Sequence, residues 1–395
     1  MASWGRIVSV VLRHRRLAGI AIGAVILSCD RPTGPPRIMP PQSVVLLVTP
    51  KMIPDFASPE APVAAFFDRY QPLMSRAVET IVIFAVGNSD HILNYRGTGY
   101  WNDHAEWARL TDGKPVSART LDYNQIAGIV QAFKARAASA GITVKVYDQI
   151  DSGTEFTLVN NFKDARHNEC MTPQWVSYNV GARLYADDSV YATAPNGIEA
   201  GTLCGDFLAA QSAKYAEDLG FDGILYKNQL GTRGRWLPGN GPGYSPEEAA
   251  AIEGFLQYSQ LVLGSRGLMW FDSYNNVSVE RETYSFPTDG YRHFDYLIAS
   301  GFCVVTTSER YLDNLQSKLA LPKGPRILAT LDYVDPWYTY DSMIDFPEES
   351  ARLEEIAVEY RFDIDGIMLF ANDEVGALIP RALVERFADR FFRDG

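Results

Sequence analysis

Three aspartates directly follow short apolar runs, where a carboxylate could take part in chemistry: Asp148, Asp272 and Asp332. Hydrolysis of a glycosidic bond uses two carboxyl groups, one that protonates the leaving oxygen and one that attacks or activates water. Burial raises the pKa of the first, whereas the second stays ionised. We predict Asp272 and Asp332 as the working pair, with Asp148 next. The alternative for Asp272 is structural, because it could cap a turn or pair with an arginine.

Aromatic and amide residues follow the same runs. An aromatic face packs on the CH surface of a sugar, and polar groups bind its hydroxyls. We predict that Trp270, Tyr274 and Trp337 stack on sugar rings. The further candidates for substrate binding are Lys227, Asn228, Gln229, Asn275, Asp335, His167 and Glu374.

The fourth apolar run is followed directly by three polar residues, Lys227, Asn228 and Gln229. The two amides cannot act as an acid or a nucleophile, but they can hold a sugar hydroxyl. An inward Lys227 would favour an anionic substituent or lower the pKa of a neighbouring acid. Because side chains alternate along a strand, Lys227 and Gln229 share a face opposite to Asn228.

Eight apolar runs alternate with eight helical patterns, as in a parallel sheet with crossover helices. The runs lie at 44–48, 80–85, 143–147, 223–226, 267–271, 302–306, 326–331 and 365–370. The helical patterns lie at 61–78, 124–140, 205–219, 245–264, 289–299, 308–319, 348–360 and 379–392. No glycine-rich phosphate turn follows the first run, which disfavours a dinucleotide-binding fold. We predict the α/β class and a single (β/α)8 TIM barrel over 43–395, with long connections after strands three and four, at about 149–204 and 230–245.

The net charge and the absence of certain motifs disfavour several other functions. The net charge of −12 and the absence of a basic stripe disfavour a nucleic-acid partner. The five histidines show no zinc-ligand spacing, and there is no Gly-x-Ser-x-Gly elbow and no Walker-type loop. A calcium ion bound by loop acids is an alternative, but no ligand-spaced motif supports it. We therefore expect no cofactor and no metal.

The first residues resemble a bacterial lipoprotein signal. Four arginines precede an apolar run at 17–27 that is short for a membrane span, and Ser28 and Cys29 follow it. We predict a signal peptide at 1–29, a lipidated Cys29 that binds the membrane, and a proline-rich tether at 30–42. The alternatives are an ordinary signal peptide and an uncleaved anchor. Export to the cell envelope permits a disulfide, for which Cys170 and Cys204 are candidates, whereas Cys303 lies in an apolar run.

Two segments resemble known glycoside hydrolases. The segment from Phe221-Asp222-Gly223 to Gly231 is similar to the fourth strand of family 66 dextranase-type enzymes, in which Asn228 would be an aspartate nucleophile. In another register, Asp222 to Gln229 resembles the Asp-Gly…Glu strand of chitinases and endo-β-N-acetylglucosaminidases. Trp270-Phe271-Asp272-Ser273 resembles the Trp-Tyr-Asp-Ser strand of family 85. In both registers an amide replaces the expected carboxylate on strand four.

The resemblance implies an endo-acting glycoside hydrolase on a polysaccharide or glycan. The replaced carboxylate leaves an alternative, a catalytically inactive barrel that binds glycans at the cell surface. A third possibility, an aldo-keto oxidoreductase, needs a tyrosine, lysine and histidine set that the strand ends do not supply.

Overall fold

The structure is a computed structural model. It describes residues 42–48, 52–53, 58–84, 123–150, 178–181, 203–227, 230–231, 246–272, 288–299, 308–321, 324–334, 346–371 and 379–393. The chain divides into two units, Met1–Arg37 and Ile38–Gly395, and all described residues belong to the second. The predicted signal peptide, Cys29 and nearly all of the tether lie outside the described residues. None of the described helices is long and apolar enough to cross a membrane.

Eight parallel strands form a closed ring, which confirms the predicted (β/α)8 TIM barrel. They are β1 Ser43–Val48, β2 Glu79–Phe84, β3 Val144–Ile150, β4 Gly223–Lys227, β5 Gly267–Asp272, β6 Tyr296–Ala299, β7 Arg326–Val334 and β8 Gly366–Ala371. Each strand pairs with its neighbours along the chain, and β8 pairs with β1 to close the barrel. All strand C-termini therefore lie at one end, called the mouth, and all N-termini at the other, called the pole.

The described residues form seven α-helices. They are α1 Glu60–Met74, α2 Tyr123–Ala140, α3 Cys204–Leu219, α4 Pro246–Leu263, α5 Ser308–Leu319, α6 Phe346–Glu359 and α7 Arg381–Phe391. A 3-10 helix, Thr288–His293, precedes β6. Each of the seven connections between successive strands thus contains helical structure, and α7 follows β8.

One predicted element is wrong. The pattern at 289–299 is not a helix, because it divides into the 3-10 helix and strand β6. The strand predicted at 302–306 lies outside the described residues, and β6 takes the sixth place in the ring. The connection after β2, residues 85–122, is also long, in addition to the two predicted long connections.

Alternation along the strands divides the core into two layers. The interior of the ring, called the lumen, is filled by Val45, Leu47, Ile81, Ile83, Tyr147, Leu225, Met269, Phe271, Tyr296, Ile298, Leu328 and Met368. The intervening residues, such as Ile224, Tyr226 and Leu268, pack outward under the helices. The lumen is therefore a packed core of stacked side-chain layers, as in other barrels of this class.

Three aspartates join neighbouring strands at the pole. Asp222, Asp295 and Asp365 each stand one residue before an even-numbered strand. In each case one carboxylate oxygen accepts a 2.8 Å hydrogen bond from a backbone N–H of the preceding strand, donated by Val146, Leu268 and Ile327 respectively. We call these residues the aspartate clamps.

The connections after β3 and β4 pair with each other. Tyr178–Asn179 and Leu230–Gly231 form a two-stranded parallel sheet. The carbonyl of buried Val180 accepts the N–H of Gly205 at 3.0 Å, and a side chain at Gly205 would meet Val180 at 2.9 Å. The chain from β3 thus returns closely onto the start of α3. Cys204, the first residue of α3, is disulfide-bonded, and its partner lies outside the described residues.

Candidate functional site

The uppermost described layer of the lumen lies just below the mouth. It contains Leu47, Gln149, Phe271 and Thr330, one from each odd-numbered strand. Leu47 and Phe271 belong to the lumen cluster, while Gln149 and Thr330 alternate with its members Tyr147 and Leu328. Four residues from alternate strands are the usual layer of a TIM barrel. The layer beneath is entirely apolar: Ile83, Leu225, Ile298 and Met368.

Gln149 and Thr330 are buried polar residues with unpartnered oxygens. Gln149 is 5% exposed and Thr330 is 0% exposed. The Oε1 atom of Gln149 and the Oγ1 atom of Thr330 have no hydrogen-bond partner among the described residues. A buried polar atom left unpaired costs about 1–3 kcal/mol, so such atoms are normally satisfied by protein, water or ligand. Sequence reasoning missed both residues; a polar residue in an otherwise apolar strand was the available signal.

Asp148 does not face the lumen. It is fully buried, and it alternates with Val146 and Ile150, which pack under the helices. The lumen residue at the end of β3 is therefore Gln149. This corrects the prediction that Asp148 is the next catalytic acid, which rested on its place in the run without regard to the face.

Trp270 is also an outward residue. Its side chain is 1% exposed and packs against Phe294, with the ring centroids 5.4 Å apart. A ring held between the strands and the helices has no free face for a sugar. The prediction that Trp270 stacks on substrate is therefore corrected: it is a core residue.

Three predicted residues lie at or near the ends of strands at the mouth, and the structure describes their backbone. Lys227 on β4 pairs with Phe271, and Asp272 on β5 pairs with Ala299. Asp332 on β7 pairs with Phe370. β5 and β7 are separated only by β6, so two strand spacings, about 10 Å, separate the backbones there. The fold thus brings all three residues to the mouth.

The remaining candidates lie outside the described residues. They are Asn228, Gln229, Tyr274, Asn275, Asp335, Trp337, His167 and Glu374. In the part of the chain that the structure describes, no group of three or more His, Cys, Asp or Glu residues could hold a metal ion.

The pole carries charged residues of a different kind. Glu79 at the start of β2 accepts hydrogen bonds from the Tyr296 hydroxyl and from Lys145, whose Nζ lies at 2.5 Å. Burial acts to raise the pKa of Glu79, but these bonds and the charges of Lys145 and Arg326 outweigh it, so the pKa is lowered. Burial and the hydrogen bond to Glu79 raise the pKa of Tyr296. The Arg326 guanidinium lies over the Tyr296 ring, with its Cζ 3.7 Å from the ring centroid. These groups compensate one another and hold the strand starts together.

Two glycines make room for Tyr147 at this end of the lumen. A side-chain carbon at Gly267 would lie 1.6 Å from the Tyr147 hydroxyl, and one at Gly223 would lie 2.5 Å from its ring. The Asp-Gly pair before β4, central to the family resemblance, is therefore explained locally. Asp222 is a clamp, and Gly223 accommodates a ring.

Comparison with known proteins gives the fold and no family. No protein-family model matches the chain, and no curated protein matches it. Among solved structures, a class V chitinase mutant from Cycas revoluta in complex with (GlcNAc)3 is 9% identical, with a TM-score of 0.47 over 89% of this chain and 99% of that one. A GH18 chitinase from Pseudoalteromonas aurantia is 10% identical, with a TM-score of 0.41 over 88% and 99%.

A Rubisco-like protein from Rhodopseudomonas palustris is matched as well, at 10% identity, with a TM-score of 0.36 over 89% of this chain and 62% of that one. Function therefore has to be argued from the residues of this chain.

Proposed function

We propose that this protein is a glycoside hydrolase that cleaves within a polysaccharide or glycan at the mouth of the barrel. The observation that carries the proposal is the polar layer of Gln149 and Thr330 directly below a rim that carries Lys227 and Asp272 at the ends of β4 and β5, and Asp332 near the end of β7. An active site at the strand C-termini is the rule for enzymes of this fold. Carboxylates on separate strands of one rim supply the two groups that glycoside hydrolysis uses.

Asp332 is the acid to which we give first rank. It follows Leu328 and Thr330 at every second position of β7, and both of these are lumen residues. Alternation therefore assigns position 332 to the lumen series. Asp272 follows Leu268 and Trp270, which belong to the outward series, so it ranks second. Either acid must work with a partner carboxyl, for which Asp335 and Glu374 are further candidates.

Lys227 belongs to the lumen series of β4, two positions after Leu225. A lysine at the mouth stabilises the ionised form of nearby carboxylates, which suits a nucleophile or a base better than a proton donor. It also suits a substrate with an anionic substituent. Of the two amides, both outside the described residues, we assign Gln229 to the sugar, because continued alternation would place it on the same face as Lys227.

Gln149 and Thr330 would form the floor of the site. Their unpartnered oxygens are hydrogen-bond acceptors, and the Thr330 hydroxyl is also a donor. A sugar presents hydroxyls that can satisfy both. Binding would then remove a desolvation cost that the unliganded protein carries.

The second candidate function is glycan binding without cleavage. The observation that favours it is the amide at strand four, where the families that the segment resembles use a carboxylate. Under either function we propose an exported protein held at the cell envelope by a lipidated Cys29. The disulfide at Cys204 supports an oxidising compartment.

The test is to incubate the purified chain with dextran, chitin, N-linked glycans and a wider polysaccharide panel, and to follow product size. We expect shortened chains, and a loss of about 100- to 10,000-fold in rate for Asp332→Asn. Asp272→Asn tests the second acid in the same way. Asp389→Asn, an exposed change on α7, is the matched control and should leave the rate unchanged.

Retarded migration of a glycan without any shortening would favour the binding function instead. Neither cleavage nor retardation across the panel would overturn both. Full activity in Asp332→Asn, with activity lost in Asp272→Asn, would reverse the ranking of the two acids.

A further inference from the structure

A pocket lies at the pole, which is the opposite end of the barrel from the proposed active site. Its volume is about 410 Å³, within the range of small-molecule sites. Residues at or just before the starts of β3, β4, β5, β6 and β7 line it, together with Lys134 of α2, and the rings of Tyr147 and Tyr296 also belong to its wall. We call it the pole pocket.

Cations predominate in its wall. Lys134, Lys145, Arg266 and Arg326 line the pocket, against two acids, Asp222 and Asp295. The whole chain carries a net charge of −12, so a concentration of positive charge in a concave site runs against its general character.

Both acids are already engaged as aspartate clamps. Asp222 accepts the Val146 N–H and the Lys134 ammonium, each at 2.8 Å. Asp295 accepts the N–H of Leu268 at 2.8 Å. Both carboxylates therefore already have partners, namely backbone N–H groups near the strand starts and the Lys134 ammonium.

Two of the other cations share a single acid. The Lys145 Nζ lies 2.5 Å from a Glu79 carboxylate oxygen, and an Arg326 guanidinium nitrogen lies 3.7 Å from the other oxygen. The Arg326 guanidinium also lies over the Tyr296 ring. One carboxylate therefore serves two cations. The wall as a whole is left with an excess of positive charge.

Among the described residues of the pocket wall, Arg266 is the cation for which the structure shows no partner. It stands in the turn between α4 and β5 and is partly buried. Its guanidinium makes no ion pair or hydrogen bond with any residue that the structure describes. The backbone N–H of Arg266 is used, because it donates to the Leu263 carbonyl at 3.1 Å, so the turn that presents the side chain is fixed.

We propose that the pole pocket binds a tetrahedral oxyanion, a phosphate or sulfate, free or as a monoester. Arginine presents a planar fork of N–H donors that matches such an anion, and lysine supplies further charge. Ser265, the residue before Arg266, also lines the pocket and offers a hydroxyl. Arg266 is the principal contact, and the site is independent of the chemistry at the mouth.

The experiment measures binding of inorganic phosphate and of sulfate to the purified full chain by isothermal titration calorimetry, at constant ionic strength set with chloride. A hexose phosphate and a hexose sulfate form the second arm, which distinguishes a monoester from the free anion. We expect saturable binding, weakened about tenfold or more in Arg266→Gln, since hydrogen bonds to charged groups contribute that much. Arg266→Lys should recover part of the affinity, because it keeps the charge and loses the fork.

Arg352→Gln is the matched control. Arg352 lies exposed on α6 and pairs with Glu355 three residues later, so its loss should leave the affinity unchanged. Equal weakening in both variants would mean general charge attraction and would overturn the site. Absence of saturable binding to the unmodified chain, or full affinity in Arg266→Gln, would overturn it as well. Thermal unfolding of each variant without anion shows whether the fold is intact.

Discussion

The two ends of this barrel use polar residues in opposite ways. At the pole, the acids before or at the strand starts have partners: the three clamps bind backbone N–H groups, and Glu79 binds Lys145 and Tyr296. At the mouth, the described lumen layer holds two oxygens without partners, on Gln149 and Thr330. Satisfied polar groups stabilise a fold, whereas unsatisfied ones cost stability and await a ligand or water. The comparison therefore shows satisfied acids at the pole and unsatisfied oxygens at the mouth, which is why we propose the site at the mouth.

The same comparison changes how one sequence motif is interpreted. The aspartate of Phe221-Asp222-Gly223 looks like part of a catalytic strand signature, yet the strand places it at the pole. Asp295 and Asp365 occupy the same place before β6 and β8. A repeated aspartate at the start of even-numbered strands indicates strand joining. The end of the strand, not its beginning, is the place to look for catalysis.

The largest effect that we expect is on stability, from Gly267→Ala at the pole. The added carbon would lie 1.6 Å from the Tyr147 hydroxyl, so the ring must move in a packed lumen, and we expect a loss of about 3 kcal/mol in unfolding free energy. Urea unfolding measures it. Adding Tyr147→Phe should restore part of the loss. Gly128→Ala, where nothing lies within 4 Å, should instead stabilise α2 by about 0.5–1 kcal/mol.

A smaller loss is expected for Asp222→Ala. It removes the hydrogen bond to the Val146 N–H and the ion pair with Lys134, which together should contribute about 2 kcal/mol. The exposed pair of Asp389 with Arg76 gives the control, since Asp389→Ala should cost less than about 1 kcal/mol. Equal losses in urea unfolding would end the claim that the clamps are special. Lost cleavage at unchanged stability would assign Asp222 to function.

The smallest effect, and the one that most sharpens the comparison, is expected for Thr330→Val and Gln149→Leu. Each removes an unpartnered oxygen, so stability should stay equal or rise, while cleavage or glycan affinity should fall about tenfold, or about 1.4 kcal/mol. The control is Thr80→Val, which removes another buried unpartnered hydroxyl, on the outward face of β2. Thr80→Val should change the free energy of unfolding as Thr330→Val does, and it should leave cleavage and glycan affinity unchanged. A loss of stability without loss of function at position 330 would make this layer structural.

Much of the architecture could be predicted because the strands are short and uniformly apolar and the helices between them are long. The β6 region was not, because Tyr291, Phe294, Leu297 and Ile298 recur at helical spacing. The sequence also contains a signal for a strand here, because Phe294-Asp295 precedes an apolar run in the same way as Phe221-Asp222 precedes β4. A repeated clamp identifies a strand start more reliably than local periodicity does.

The sequence predicted which residues lie near the strand ends at the mouth, but not which of them face the lumen. A run of apolar residues shows where a buried strand ends, yet when both faces are buried it does not show which residues turn inward. Asp148 and Trp270 were chosen for their chemistry, and both proved to be outward. The register of the closed ring shows that Gln149 on β3 and Thr330 on β7 belong to the lumen series.

The clamps also govern how the ring is assembled. The Asp365 carbonyl accepts the N–H of Ser43 on β1, while its own N–H and side chain bind Ile327 of β7. One residue near the end of the chain therefore joins the last odd strand to the first strand. A chain shortened before residue 365 would leave β1 and β7 as open sheet edges, which promote aggregation. Closure of the barrel must therefore wait until β8 has been synthesised.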